Sequence, residues 1–454
     1  MTDVNRQVDA LLRDTPPGTP LWVALSGGLD SSVLLHALAG RGAAGRIRAV
    51  HVHHGLSDNA DAWQAHCEQL CAALGVVLTV RKVSVQAQGK GLESAARDAR
   101  YRVFESLLTP GALLLTGHHA DDQAETLLLR LLRGSGLRGL AAMHRTRPLG
   151  QGLVVRPLLT LPRSALRSYA DTVDLRWVED ESNRDTAFDR NYLRQRVMPV
   201  LAERWPDFAR RWQRTSAQLA EAQTLLDDLA AIDLQTLEPR PERLGQSLRA
   251  DGLCALTQHR RTNVLRYWFA KQGLAIPERV HLAALRQQLL EGSTDSEALV
   301  EWGDAQAGRH RDRLVVWPRA QRPAPWPEGE CVAVANQCDQ TLVLPSGGEL
   351  ECEFRALVPP DPVPGSWLRA DLPDLHVRGR IGGERCQPSG RAHSQRLKNL
   401  LQEHALAPWL RPSLPLIYSG EQLVAVADLW LCRGFEAAPG APGYRLHWRA
   451  GRNF

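Results

Sequence analysis

The chain has 454 residues, of which 44% are hydrophobic and 23% charged. That excludes a disordered or fibrous protein and predicts two or three globular domains. A formal charge of +5 permits a nucleic-acid partner without demanding one. Residues 1–20 read as a short helix, with Val8, Leu11 and Leu12 on one side, and a Pro-rich turn. Next comes LWVALSGGLDSSVLLHAL, residues 21–38. Its first five residues are an apolar run of strand length. Two adjacent glycines then favour a turn, and Asp30, Ser31 and Ser32 are cap-type residues at a helix start. Such a strand–turn–helix lets main-chain N–H groups approach an anion, aided by the helix N-terminus. Asp30 suits a Mg²⁺ that bridges to a phosphate. The bland reading is an ordinary helix cap. No GxxxxGK[ST] motif occurs, which argues against a Walker-type site.

Residues 47–54 read as a second strand ending in His51-Val52-His53-His54-Gly55, followed by a helix capped by Ser57 or Asp58. His51 and His53 share a face by alternation; without an adjacent acid or thiol, a polar pocket lining is the stronger reading than a metal site. A third strand is expected over residues 76–85, a helix over 91–108 and a fourth strand over 112–116, running into GHHADDQAE. Strands alternating with helices predict a parallel sheet. The three polar clusters fall at the carboxyl ends of its strands, where ligands collect. If residues 120–132 are helical, His118, Asp122 and Glu125 stack on one face at i, i+4 and i+7. Compensation of the helix dipole is the bland account of such acids. The cluster is also able to hold Mg²⁺, bind an amine, or take its proton. Residues 130–143 read as a helix end and a basic Gly-rich loop, 156–159 as a strand edge and 162–171 as a helix. Residues 177–201 are dense in charge, with Arg190, Arg194 and Arg196 at near-helical spacing. They form either a solvated face or an arginine row on RNA phosphate or on phosphoryl-transfer charge.

Composition shifts after Arg204-Trp205-Pro206. Residues 212–232 read as an amphipathic connector helix and 240–300 as helical, with Tyr267, Trp268 and Phe269 either stacking on bases or filling a core. Residues 298–318 suggest a hairpin, and 318–327 a linker. The last third is rich in strand and turn signals (331–334, 341–344, 350–354, 377–381), with a basic helix over 391–404 and a final hairpin. Eight cysteines are scattered without CxxC or zinc spacing, so reduced structural thiols are expected; Cys67 and Cys71 read as core. Only four basic residues are lysines, which leaves 51 arginines (55 − 4), a bias that codon usage accounts for in bulk.

The stretch SGGLDS in this context resembles the pyrophosphate loop of the N-type ATP pyrophosphatases. In order, SGGLDS, HVHHGLS, GLESAARDARY, GHHADDQAETLLLRLLRGSGLRGL and WVEDESN with DRNYLR resemble the bacterial tRNA(Ile)-lysidine synthetases. The resemblance is close over about residues 20–215. It implies an α/β fold: a parallel-sheet PP-loop catalytic domain (1–215), a helical tRNA-binding central domain (216–318), a linker with short strands (319–360) and an α+β tRNA-binding C-terminal domain (361–454). It implies ATP-dependent ligation of lysine to C2 of the wobble cytidine through an adenylated intermediate. ATP and Mg²⁺ are the implied cofactors. Free L-lysine and a tRNA(Ile) with a CAU anticodon are the partners, in the cytoplasm, with no membrane. A homodimer is left open. By resemblance Ser26, Gly27, Gly28, Leu29, Asp30, Ser31 and Ser32 hold the phosphates. His51 and His53 lie near the adenine, and Asp30 and Asp122 ligate the metal. His118, Asp122 and Glu125 serve lysine and metal, and Arg190 or Arg194 faces phosphate or base. The C-terminal part departs from the family: Cys386 to Ser394 is inserted where relatives carry a compact basic run, and only Lys398 remains. A thiolase on the same scaffold needs a cysteine pair. An amidating ligase needs an N-terminal glutaminase cysteine. A binding module needs no clustered carboxylates.

Overall fold

The computed structural model describes residues 2–85, 92–181, 185–293, 297–359 and 367–451. Gly91 and residues 182–184, parts of two of the motifs above, lie outside the described residues. The chain divides into two compact units, Met1–Leu225 and Leu226–Phe454.

The first unit opens with helix α1 (Asp3–Asp14), capped by Thr2 through its side chain. Then β1 (Leu21–Ala24), α2 (Leu29–Leu38), β2 (Ile47–His53), α3 (Ala60–Leu74), β3 (Val77–Lys82), α4 (Leu92–Leu107) and β4 (Leu113–Leu115) alternate. After α5 (Ala120–Leu132) and α6 (Leu137–Leu140) come β5 (Thr146–Leu149), β6 (Gly152–Val155) and α7 (Arg163–Thr172). The sheet order is β3-β2-β1-β4-β6-β5. All its pairs are parallel except the edge hairpin of β5 with β6. The strand edge expected at 156–159 is instead a turn, because the strand lies wholly before it, over Gly152–Val155. The N-cap of helix α3 is Asn59, one or two residues beyond the expected Ser57 or Asp58, and Ser57 Oγ accepts from Asn59 N instead.

The central strands β1, β2 and β4 are largely buried on both faces, as the middle of a parallel sheet requires, while the edge strands β3 and β5 are partly exposed. Leu21 and Val23 face a core with Val33, Leu34, Cys67 and Cys71, while Trp22 faces Val50, Phe104 and Leu114. The two cysteines are therefore core residues, and burial pushes their thiols up to about 12 and about 11. Successive strands run outward from β1 in one direction to β3 and in the other, through β4, to β6. The order reverses between β1 and β4, and a ligand crevice is expected at such a point. Helices α8 (Asp189–Tyr192) and α9 (Met198–Arg204) follow, joined by a π-turn over Leu193–Val197, and then the long α10 (Phe208–Thr236).

The second unit holds two antiparallel assemblies. Strands β7 (Arg240–Pro241) and β8 (Gln246–Arg249), helices α11 (Ala250–Ala255), α12 (Gln258–Lys271) and α13 (Arg279–Ala284), and strands β9 (Leu299–Trp302), β10 (Ala305–His310) and β11 (Arg313–Pro318) form the first. The expected hairpin is thus a three-stranded meander. The region expected to be wholly helical opens on two short strands, because Gly245 (φ +71) turns the chain against β11. Trp268 and Phe269 are fully buried, which settles them as core. The second assembly contains β12 (Cys331–Ala333), β13 (Gln340–Val343), β14 (Glu349–Arg355), β15 (Leu368–Arg369) and β16 (Leu375–Arg378). It continues with β17 (Arg385–Cys386), β18 (Gln395–Arg396), α14 (Leu397–Glu403), β19 (Leu416–Ser419), β20 (Gln422–Val426), β21 (Trp430–Leu431) and β22 (Gly443–Arg449). The helix expected from 391 starts only at Leu397, since Gln395 and Arg396 pair with β17. Among the described residues no helix is long and apolar enough to cross a membrane.

Candidate active site

The loop between β1 and α2 follows from its residue types. Gly27 has φ +84, a left-handed conformation that glycine adopts without strain. A Cβ there would lie 3.0 Å from Val178 Cγ2 and 3.1 Å from Cys67 Sγ. The backbone of Val178 donates to Gly27 O at 3.0 Å, so the start of the WVEDESN stretch buttresses the loop. Ser26 and Ser31 hydroxyls meet at 3.0 Å, and Ser31 Oγ donates to Gly28 O at 3.1 Å. Gly28 is the N-cap of α2 and offers no capping side chain, which leaves the first N–H groups of the helix for a ligand. Ser32 Oγ and Asp30 Oδ1 are buried without a hydrogen-bond partner. Orphaned polar atoms of that kind, beside a helix N-terminus, fit a phosphate and its divalent cation.

The second cluster is packed onto the first. A Cβ on Gly117 would come within 2.7 Å of Asp30 C and O and 2.9 Å of Ser31 N. Only glycine lets the end of β4 approach the loop this closely. His118 is not on α5 as the spacing suggested. Its neighbour His119 is the extended N-cap, so His118 precedes the helix and its Nδ1 lies 2.9 Å from Thr116 Oγ1. Burial, with the charges of Arg156 and Arg190 opposing that of Asp122, pushes His118 down to about 4. Asp122 and Glu125 do share one helix face, 8% and 2% exposed.

His119, which spacing alone does not single out, ties the clusters together. Its Nε2 lies 3.6 Å from Asp30 Oδ2 and 3.4 Å from Asp122 Oδ2, and its Nδ1 3.5 Å from Asp121 Oδ2. Burial works against its charge, but these carboxylates push it up to about 10. A protonated ring cannot accept from Asp122 N, 3.4 Å away, so the cap rests on Asp122 Oδ2 accepting from His119 N at 3.1 Å. A cap-type position directly before ADD was the sequence signal available for it.

Arg190 and Arg194 arrive from α8 and the π-turn, more than sixty residues further along the chain. Arg194 grips Glu125 with Nε at 2.6 Å from Oε1 and NH2 at 2.9 Å from Oε2. Arg190 spans Glu125 Oε2 at 2.8 Å and Asp122 Oδ1 at 2.9 Å. Arg194 also reaches Asp122 Oδ1 at 3.3 Å. Each charge out of water is paired, as burial demands. Burial raises the pKa of Asp122, but the charges of His119 and Arg190 more than offset that and hold it below the ordinary range. Asp30 thus has an open oxygen for a cation, whereas both oxygens of Asp122 are already engaged. Among the described residues no three His, Cys, Asp or Glu side chains converge on an ion-sized gap.

His51 and His53 close the other side of the loop. His51 Nδ1 donates to Leu25 O at 2.9 Å, and His53 Nε2 lies 3.1 Å from Asp61 Oδ1. Both rings are buried at the end of β2.

Three family descriptions match the chain: a PP-loop domain over residues 1–201, a TilS substrate binding domain over 248–315 and a TilS substrate C-terminal domain over 375–448. A tRNA(Ile)-lysidine synthase of Alkalilimnicola ehrlichii is 43% identical over 95% of this chain and 93% of its own. The chain belongs to the tRNA(Ile)-lysidine synthase family. Synthases of Xanthomonas campestris pv. campestris and Serratia proteamaculans are 41% and 40% identical, each over 98% of this chain and at least 98% of their own. As a lysidine synthase the chain is an ATP-dependent ligase, and the loop after β1 lies within the matched PP-loop domain. Within the synthase fold, the glycine loop after β1 and the carboxylate cluster meet at the switch point through Gly117 and His119.

Proposed function

We propose that this crevice joins free lysine to C2 of the wobble cytidine of a tRNA(Ile) with a CAU anticodon, using ATP. The observation that carries the reading is the contact of two motifs: an open amide cradle at Ser26 to Ser32 against a buried His–carboxylate cluster. The cradle amides take the charge of the β- and γ-phosphates. Cytidine O2 attacks the α-phosphorus, and the bond to the leaving pyrophosphate breaks. The lysine ε-amine then attacks C2, and AMP departs with O2. Asp30, with its unpartnered Oδ1, would hold Mg²⁺, which when bound would supply positive charge beside the leaving diphosphate. Asp122 joins it only when its arginine partners move away.

Free lysine has a pKa of about 10.4, so the amine must lose a proton. Asp122 and Glu125 are the acceptors, and the incoming ammonium takes the place of an arginine on them. The guanidinium of Arg190 or Arg194 so released is free to face the α-phosphate or the base. His51 and His53 line the nucleotide side. The families named for substrate binding support assigning tRNA contact to the central part (216–318) and the C-terminal part (361–454). We place the reaction in the cytoplasm, where tRNA and ATP are available.

Asp30→Ala tests the reading: tRNA-dependent release of pyrophosphate from ATP is expected to fall by at least about a hundredfold. An unchanged rate would remove Asp30 from the chemistry.

A further inference from the structure

Arg156 follows directly on β6 and sits beside Thr116 at the end of β4, since Thr116 N donates to Val155 O at 3.0 Å. It is 3% exposed, and its Nε has no hydrogen-bond partner. NH1 donates to His144 O at 2.6 Å. Two more guanidinium groups stand near it. Arg97 lies 5.0 Å and Arg147 4.6 Å from the centre of the Tyr101 ring, and the Tyr101 hydroxyl hydrogen-bonds with Arg147 and Arg156. No carboxylate among the described residues forms an ion pair with any of the three. A buried guanidinium without a carboxylate partner is costly, and a phenol offsets less of that cost than a carboxylate would. Planar N–H forks grouped about one tyrosine match a carboxylate or phosphate oxygen pair. Arg156 follows Val155, whose carbonyl accepts from Thr116 N, and Thr116 Oγ1 lies 2.9 Å from His118 Nδ1, so Arg156 borders the crevice already described.

We infer that Arg97, Arg147 and Arg156 form a second oxyanion site, separate from the diphosphate loop, which takes one charged oxygen group of the substrate that meets the activated base. The group has two sources: the α-carboxylate of the amino acid, or a phosphodiester beside the target cytidine. The inference rests on the proposed reaction for its source, but not for the site itself.

The test uses the full chain with Arg97→Gln and Arg147→Gln singly and combined; Arg156→Gln is added with its unfolding midpoint measured. For the carboxylate source, the KM for lysine rises at least about tenfold. Pyrophosphate exchange without lysine stays at the wild-type rate, and cadaverine, which lacks the carboxylate, no longer distinguishes variant from wild type. For the phosphodiester source, the KM for tRNA in the exchange reaction rises about tenfold and its salt slope falls by about one, with the lysine KM unchanged. If neither KM moves in the Arg97/Arg147 double variant, the inference is overturned. A wild-type chain that made no lysidine would sink the proposed reaction instead. The site is then read from crystals soaked in selenate: an anomalous peak among the three guanidinium groups supports it, and a peak at the Ser26–Ser32 loop alone overturns it.

Discussion

At the scale of residues, the account depends on how closely β4 approaches the nucleotide loop. Gly117→Ala places a methyl group 2.7 Å from the Asp30 carbonyl, where backbone and not a flexible side chain must give way. We expect the loop to be displaced and tRNA-dependent pyrophosphate release to drop by at least about tenfold, since small misplacements at a reacting centre are expensive. Stability is expected to fall less than activity. Full activity in this variant would show that the approach is incidental. SGGLDS was readable because a turn and a helix start depend on neighbours in sequence. The partners of Asp122 and Glu125 were not, because Arg190 and Arg194 arrive from a segment over sixty residues away. Local spacing placed those arginines on a face without saying what the face meets. It also stacked His118 on the face of Asp122 and Glu125, whereas the extended N-cap at His119 takes His118 off the helical repeat.

At the scale of elements, the ends of β2 and β4 carry histidines whose protonation is tied to folding. Burial lowers His51, and burial with Arg100 pushes His54 down to about 4. His118 is likewise near 4. Unfolded, each titrates near about 6.5. Their contribution is therefore present above about 6.5 and is lost as the pH falls from there towards 4. His119 has the opposite sign: raised to about 10, it stabilises fully below about 6.5 and loses that contribution as the pH rises towards 10. The urea midpoint of the full chain is expected to peak near pH 6.5 and decline on both sides. A flat midpoint from pH 5 to 9 would contradict these environments. The strands themselves were legible from apolar runs between glycine turns. Helix ends were less so: Arg391 and Arg396 fit a helical face, yet Gln395 and Arg396 are taken by the ladder with Arg385 and Cys386.

At the scale of the whole molecule, the second unit is one folded body whose two assemblies share an aromatic contact. Trp409 stacks on Trp317 at 4.9 Å, and a Cβ on Gly308 would meet the Trp409 ring at 2.7 Å. Arg243 adds a bond from NH1 to Trp448 O at 2.6 Å. Trp409→Ala is expected to cost about 3–5 kcal/mol of the stability of this unit, seen as a lower urea midpoint. An unchanged midpoint would mean that the assemblies fold independently. No periodicity announces this contact, because it joins side chains about ninety residues apart on a β-strand and a 3₁₀ turn.

The central claim is that the crevice between β1 and β4 activates a cytidine and then attaches lysine to it. The most direct measurement is mass spectrometry of the anticodon fragment after incubating the full chain with ATP, lysine and unmodified tRNA(Ile). The account predicts one cytidine heavier by a lysine less one water, only with ATP and lysine both present, and an adenylated fragment when lysine is withheld. A cytidine of unchanged mass while ATP is consumed would contradict it.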